Sequence, residues 1–95
     1  MATVEEKAQE VSELLNILSN QNRILILCCL INNPLTVNEI LKLIPTIKQS
    51  SLSQQLSILK ANNILSSEKT GQNVKYFIKD KKIILLFEFL KEHYC

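Results

Sequence analysis

Three cysteines are the side chains of this 95-residue chain with the clearest potential for chemistry. Cys28 and Cys29 are adjacent within the apolar run 24–31, and Cys95 is the last residue of the sequence. A thiolate is a nucleophile and a metal ligand, whereas a buried thiol behaves as a small apolar side chain. Cys28 and Cys29 lie about 100° apart around a helix, so they cannot face Cys95 equally. Core packing, metal binding and a thiol switch all stay open from the residues alone.

The other side chains give little support for an enzyme or a metal site. His93 is the single histidine, and it has only Glu88 and Glu92 as nearby acidic residues. A zinc site needs about four well-placed ligands, so we expect His93 at the surface near a helix C-terminus, where a partial positive charge is favourable. The chain shows no plausible acid/base pair, no glycine-rich phosphate loop and no Cys-x-x-Cys beside a βαβ unit. We therefore expect a non-enzyme without cofactor or metal.

Length and composition predict one small domain, residues 1–95. Hydrophobic residues make up 46% of the chain, with one Gly and two Pro, which excludes a disordered protein. The longest apolar runs, 24–31 and 83–87, are too short to span a bilayer. The polar, acidic start has no apolar stretch of the kind found in secretory signals. We expect a cytoplasmic protein with no membrane partner.

The charge is unevenly distributed along the sequence. Residues 19–82 hold nine basic and three acidic side chains, a net charge of +6, whereas residues 1–18 carry −3 and residues 83–95 carry −1. A basic middle between acidic ends is typical of a nucleic-acid-binding protein. The alternative is an ordinary solvated surface.

Apolar periodicity and turn residues predict five helices and one β-hairpin. Thr36 and Glu39 have the spacing of a capping box at the start of the third helix. Gly71 lies between two alternating strands, where a positive φ is expected. The predicted elements are a first helix with Val11, Leu14, Leu15 and Leu18 on one face, helices over Gln21–Ile31, Val37–Ile44 and Gln49–Asn62, strands over Leu65–Lys69 and Val74–Ile78, and a last helix over 83–95. Because every residue of 24–31 is apolar, the second helix is expected to be buried on every side.

This order of elements predicts a winged helix-turn-helix, a mainly α fold with a β-hairpin wing. Its second short helix would enter the major groove of double-stranded DNA, and Gln49–Ile58 carry no charge, unlike an ordinary solvated helix face. Gln and Ser can contact base edges, and basic residues, including Arg23, suit phosphate contacts. The predicted DNA-binding residues are Lys48, Gln49, Ser50, Ser51, Ser53, Gln54, Lys60, Lys69, Gln72, Asn73 and Lys75.

The two ends of the chain predict a homodimer through the first and last helices. In the segment IILLFEFL, residues 83–90, every residue except Glu88 is apolar, which is more than one packed face requires. A two-fold dimer would bury this surplus and would place two recognition helices about one DNA turn apart. The operator would then be an inverted repeat.

Several motifs resemble those of the ArsR/SmtB family of bacterial repressors. The segment IKQSSLSQQL, residues 47–56, is similar to the family's recognition-helix pattern ending Ser-x-His-Leu, with Gln55 in place of the histidine. LSNQNRILILCCL, residues 18–30, and the wing KTGQNVKY, residues 69–76, also fit, and the resemblance covers about 15–95. Thr46 and Asn63 stand where the family often has glycine.

Within that family, the BigR-type branch resembles this chain most. Its cysteines follow Ile-Leu in the second helix and Tyr near the end of the last helix, as Cys28 and Cys95 do here. The resemblance implies that reactive sulfur species or oxidants link Cys28 to Cys95 within a subunit, by a disulfide or polysulfide, and release the operator. Cys29 would then be core filler or a back-up thiol. The alternatives are a metal-responsive repressor of the same family, although 35–41 contain no cysteine, and a winged-helix protein-interaction module without an operator.

Overall fold

The computed structural model describes residues 2–94 and places them in a winged helix-turn-helix. Within that range the chain forms five helices and one three-stranded antiparallel sheet of order β1-β3-β2. The elements are α1 Val4–Leu18, α2 Gln21–Leu30, β1 Leu35–Thr36, α3 Val37–Leu43, α4 Gln49–Ala61, β2 Leu65–Thr70, β3 Asn73–Ile78 and α5 Lys81–Tyr94. The predicted mainly helical fold with a hairpin wing is confirmed. None of the helices in this range is long and apolar enough to cross a membrane.

Hydrogen-bonded side chains determine where α2 and α3 begin. Asn20 Oδ1 accepts from the backbone N–H of Arg23 at 3.1 Å and so caps α2. At α3, Thr36 Oγ1 accepts from the N–H of Glu39 at 3.2 Å, and Glu39 Oε1 accepts from the N–H of Thr36 at 2.9 Å. The capping box predicted from the sequence is confirmed.

Two residues with positive φ set the path of the chain into and around the wing. Asn63, with φ of 60°, follows α4 and turns the chain into β2. Gly71, with φ of 64°, begins the two-residue turn between Thr70 and Asn73. A tight turn of this kind favours glycine at its first central position.

Strand β1 was not predicted from the sequence, because two residues are too few to show a period. It pairs with β3 through Leu35 opposite Tyr76 and Thr36 opposite Lys75. Since Thr36 also caps α3, this pairing ties the start of the helix-turn-helix to the wing.

The core is built around α4, whose apolar side packs on the other elements. Leu52 and Leu59 are fully buried there, together with Ile26 of α2 and Ile83 of α5. The expectation that α2 is buried on every side is wrong for a single subunit, because Cys28 is exposed on its outer face. An all-apolar sequence does not show which of its faces has neighbours.

Apolar side chains also remain exposed on α1 and α5. Val11 and Leu15 of α1 are 53% and 55% exposed, and Leu85 and Phe89 of α5 are 66% and 55% exposed. Leu18 is the one buried residue of α1. The two helices named in the dimer prediction therefore carry the apolar surplus that the prediction requires.

Candidate DNA-binding surface and cysteine site

The start of α4 and the tip of the β2–β3 hairpin border one polar groove. Gln49 and Ser53 are one helical turn apart on α4, and Gln72 and Asn73 form the opposite wall at the hairpin tip. The full lining is Thr36, Val37, Asn38, Gln49, Ser53, Gln72, Asn73 and Val74. Four of the predicted DNA-binding residues, from segments about twenty residues apart in sequence, are thus brought together.

The other predicted residues at the start of α4 lie around this groove. Lys48, Ser50 and Gln54 are exposed, and Ser51 is half-buried. Lys48 is the N-cap, but its side chain makes no cap hydrogen bond to the helix. Backbone N–H groups at a helix start and the helix dipole together attract anions such as phosphate. This end of α4 therefore offers amide, hydroxyl and backbone donors beside a lysine.

The predicted lysines differ in their surroundings. Lys69 and Lys75 are exposed on the wing. Lys75 lies near the carboxylate of Glu39, and the pKa of Glu39 is lowered, first by the hydrogen bonds from Thr36 and then by Lys75. Part of the positive charge of Lys75 is therefore balanced within the protein.

Lys60 is not part of the groove. It lies eleven residues after Gln49 on α4, roughly 16 Å along the helix axis. Its Nζ donates to Ser67 Oγ of β2 at 2.7 Å. A phosphate contact by Lys60 would therefore be made at the far end of the recognition helix.

Arg23 is engaged inside the protein, whereas the sequence suggested a phosphate contact. Its Nε donates to Gln55 Oε1 at 2.8 Å, and its Nη1 donates to the carbonyl of Ile17 at 2.9 Å. A half-buried guanidinium needs acceptors, and the fold supplies two. Gln55, which stands where the family pattern has histidine, supplies the side-chain oxygen that accepts from this arginine.

Besides the apolar Val37 and Val74, sequence reasoning missed two polar residues of the groove, Thr36 and Asn38. Thr36 was recognised only as a helix cap, and Asn38 was not singled out. Both line the groove because β1 pairs with β3 and brings the start of α3 beside the wing. The sequence carries no signal for a pairing of two residues with a distant strand.

The two adjacent cysteines have different surroundings. Cys28 is exposed, whereas Cys29 is half-buried and packs against the core. Burial raises the pKa of the Cys29 thiol, and the neighbouring Cys28 raises it further. Both border a pocket of about 470 Å³ between α2 and the turn of the helix-turn-helix, lined by Leu25, Cys28, Cys29, Asn32, Leu43, Ile44, Pro45 and Thr46. Cys28 is therefore the more reachable thiol of the pair.

The ends of α2 and α5 meet close to Cys28. Asn32 lies four residues after Cys28, and its Oδ1 accepts from Lys91 Nζ of α5 at 3.0 Å. Cys95, the other predicted sensing residue, lies outside the described residues, four positions after Lys91 in the sequence.

His93 is an exposed residue near the C-terminal end of α5. Its ring packs on Phe89 with centroids 4.3 Å apart. Among residues 2–94, no three His, Cys, Asp or Glu side chains are grouped so that they could hold a metal ion.

Comparison with known proteins identifies the family. The model of the HxlR-like helix-turn-helix family matches residues 17–86, which include α2, the helix-turn-helix and the wing. The chain belongs to the HxlR-like helix-turn-helix family. Among its sequence relatives, the HTH-type transcriptional regulator YgaV of Escherichia coli is 30% identical to this chain over 95 residues. The aligned residues cover 100% of this chain and 96% of YgaV.

Solved structures agree with this placement. The transcriptional repressor BigR from Xylella fastidiosa superposes with a TM-score of 0.87 at 31% identity, over 96% of this chain and 89% of BigR. Reduced HlyU from Vibrio cholerae gives a TM-score of 0.88 at 31% identity, over 96% of this chain and 95% of HlyU. The predicted resemblance to winged helix-turn-helix repressors of the BigR type is confirmed.

Proposed function

We propose that this HxlR-like family member is a homodimeric, DNA-binding transcriptional repressor that senses reactive sulfur species or oxidants. A bridge between Cys28 and Cys95 would release the operator, an inverted repeat on double-stranded DNA. The observation that carries the DNA-binding part is the polar groove shared by the start of α4 and the hairpin tip. Similarity to a repressor, BigR, and to transcriptional regulators supports the same conclusion.

Residues in the groove and residues at its rim would have different roles in DNA recognition. Gln49 and Ser53 on α4 have the side chains to contact base edges in the major groove, where Gln can bind adenine with two hydrogen bonds. Lys48 and Lys69 would contact phosphates and so position the helix. Gln72 and Asn73 at the hairpin tip would reach the backbone or the minor groove beside it.

The exposed apolar residues of α1 and α5 support a dimer. Burying a side chain such as Leu85 or Phe89 against a second copy contributes about 25 cal/mol for each Å² of apolar surface removed from water. A two-fold dimer also presents two copies of α4, which matches an inverted repeat.

The thiol switch is supported by the exposure of Cys28 and by the meeting of α2 and α5. The contact between Asn32 and Lys91 brings the C-terminal part of α5, which precedes Cys95 in the sequence, to the end of α2. One structural relative was solved explicitly as the reduced protein, which fits a regulator whose thiols change state.

The chemistry of the bridge is a two-electron oxidation of the two thiols. One thiolate attacks the outer sulfur of a persulfide RSSH, displaces RS⁻ and becomes a protein persulfide. The second thiolate then attacks the inner sulfur of that persulfide, so that a disulfide forms and hydrosulfide leaves. With a peroxide, the first attack gives a sulfenic acid and hydroxide, and the second thiol displaces water. If a second RSSH converts the other thiol to a persulfide as well, the terminal sulfur of one persulfide can attack the inner sulfur of the other, so that a trisulfide bridge forms and hydrosulfide leaves.

The effect on DNA would be transmitted through α2. This helix carries Cys28 and lies beside the turn of the helix-turn-helix, at the pocket that includes Pro45 and Thr46. A bridge to the last helix would link that region to α5, which carries exposed apolar residues of the proposed dimer interface. A shift between them would change the spacing of the two α4 helices.

The DNA-binding part is tested with the reduced protein and DNA from upstream of its own gene, titrated at fixed salt against unrelated DNA of equal length. Tight binding to a segment with an inverted repeat, about a thousandfold or more above unrelated DNA, is expected. Equal binding to both would contradict an operator and favour a protein-interaction module. Metal analysis of the purified protein, with and without a chelator in the titration, tests the metal-responsive alternative.

A further inference from the structure

The guanidinium of Arg23 links three helices, namely the start of α2, the middle of α4 and the end of α1. Arg23 lies at the start of α2, and its two side-chain hydrogen bonds reach Gln55 of α4 at 2.8 Å and the carbonyl of Ile17 of α1 at 2.9 Å. Ile17 belongs to the last turn of α1, where carbonyl groups lack a partner within the helix. One side chain thus supplies a missing donor to α1 and orients a side chain of the recognition helix.

Few other contacts fix the orientation of α1 relative to the rest of the domain. Within one subunit, Leu18 at the C-terminal end of α1 is buried and Leu14 and Ile17 are partly buried against the core, whereas Val11 and Leu15 stay exposed. The bond from Arg23 to Ile17 lies at that same end. The direction of α1 therefore depends on a small region of contact that includes this hydrogen bond.

We propose that Arg23 is a positioning residue that sets the angle between α1 and the recognition helix α4, and thereby the half-site spacing that the dimer accepts. The inference rests on the proposed function, in which α1 and α5 form the dimer interface and α4 enters DNA. A planar guanidinium holds two acceptors in a fixed geometry, which an ammonium group does not. A change in the angle between α1 and α4 would change the distance between the two α4 helices of the dimer at the DNA, because Arg23 links α1 to α4.

The position of Gln55 on α4 keeps it away from the groove residues. Gln49 and Ser53 are one turn apart on the face that lines the groove. Gln55 is two residues after Ser53, about 200° around the helix, and points to the domain interior. Changing Gln55 would therefore leave the groove residues intact.

A direct phosphate contact by Arg23 makes a different prediction. A residue that neutralises a phosphate contributes about 0.9 to the slope of log affinity against log salt. A residue that only holds α4 in place contributes nothing to this slope. Salt dependence thus separates the two roles without any assumption about affinity.

The experiment compares wild type with Gln55→Leu, Gln55→Glu, Arg23→Lys, the charge-removing variant Arg23→Gln and the double variant Arg23→Lys/Gln55→Leu. Each is titrated with inverted repeats of the best spacing and with one base pair added or removed. Gln55→Leu is expected to bind the best repeat about tenfold more weakly and to discriminate less between spacings. Gln55→Glu, which keeps the acceptor, should retain the wild-type spacing profile. The double variant should resemble Arg23→Lys, because the link from Arg23 to Gln55 is already lost there, and all salt slopes should stay unchanged.

Unfolding and dimer dissociation are measured in parallel, since a merely structural loss would lower affinity equally at every spacing. A wild-type spacing profile in Gln55→Leu would overturn the inference, as would a salt slope lowered by about 0.9 in Arg23→Gln, which removes the charge. If Gln55→Leu does not fold, the profile of Arg23→Lys decides. Failure of wild type to bind any inverted repeat would instead refute the proposed function, and the inference with it.

Discussion

Replacing the two adjacent cysteines by serine should lower stability to different extents. Cys29 packs against the core, so serine there brings a hydroxyl into a largely apolar environment. Mutational data put that cost at about 1–3 kcal/mol for full burial, and the half-buried position reduces it to about 1 kcal/mol. Cys28 is exposed, and a surface substitution there should change the free energy of unfolding by less than about 0.5 kcal/mol. For a chain of this size, about 1 kcal/mol corresponds to a fall in Tm of about 4–8 °C.

The assay is thermal unfolding of fully reduced Cys28→Ser and Cys29→Ser at one protomer concentration, because the Tm of a dimer depends on concentration. Cys29→Ala is the matched control, since it removes the thiol without adding a hydroxyl. The raised pKa of Cys29 means that folding favours its neutral thiol, so its contribution is present below the ordinary pKa of 9.0 and is lost as the pH rises through the raised value. Equal losses in Cys28→Ser and Cys29→Ser would refute the burial argument.

Four further predictions concern α3 and the wing. Thr36→Ala should lower the free energy of unfolding by about 1 kcal/mol while Thr36→Ser keeps the cap, as measured by urea unfolding; equal losses would contradict the capping box. Because the pKa of Glu39 is lowered, its contribution to stability should be present above pH 4.5 and be lost as the pH falls through its lowered pKa. Unfolding curves recorded across this pH range should show the dependence in wild type and not in Glu39→Gln. Gly71→Ala should lower the free energy of unfolding by about 1–2 kcal/mol. The positive φ alone should cause this loss, because an added Cβ meets nothing within 4 Å; an unchanged Tm would contradict the strain. Lys69→Gln should lower the salt slope of DNA binding by about 0.9, whereas Lys7→Gln on α1 should not; equal slopes would remove Lys69 from the interface.

Local signals in the sequence predicted the parts of the fold that depend on neighbouring residues. The capping box of Thr36 and Glu39, and the positive φ at Gly71, are properties of four-residue segments and could be recognised without a structure. The uncharged start of α4 likewise indicated a contact surface before its neighbours were known. Each of these predictions needs only chain geometry and side-chain chemistry.

Features that depend on distant contacts could not be predicted in the same way. The pairing of β1 with β3, the hydrogen bond from Arg23 to Gln55 and the open face of α2 each depend on residues far away in sequence. For Arg23 the sequence suggested a phosphate contact, because a lone basic residue gives no sign of an acceptor 32 positions later. The assignment of Cys28 and Cys95 as partners came from the family resemblance, and it stays a prediction.

The central claim is that a bridge between Cys28 and Cys95 releases the operator. The most direct measurement is the fraction of operator bound before and after a persulfide donor, at fixed salt, for wild type, Cys28→Ser, Cys95→Ser and the control Cys29→Ser. We predict that wild type and Cys29→Ser release DNA and regain it on reduction, whereas Cys28→Ser and Cys95→Ser stay bound. Release by Cys28→Ser, or continued binding by treated wild type with its thiols shown to be modified, would contradict the account.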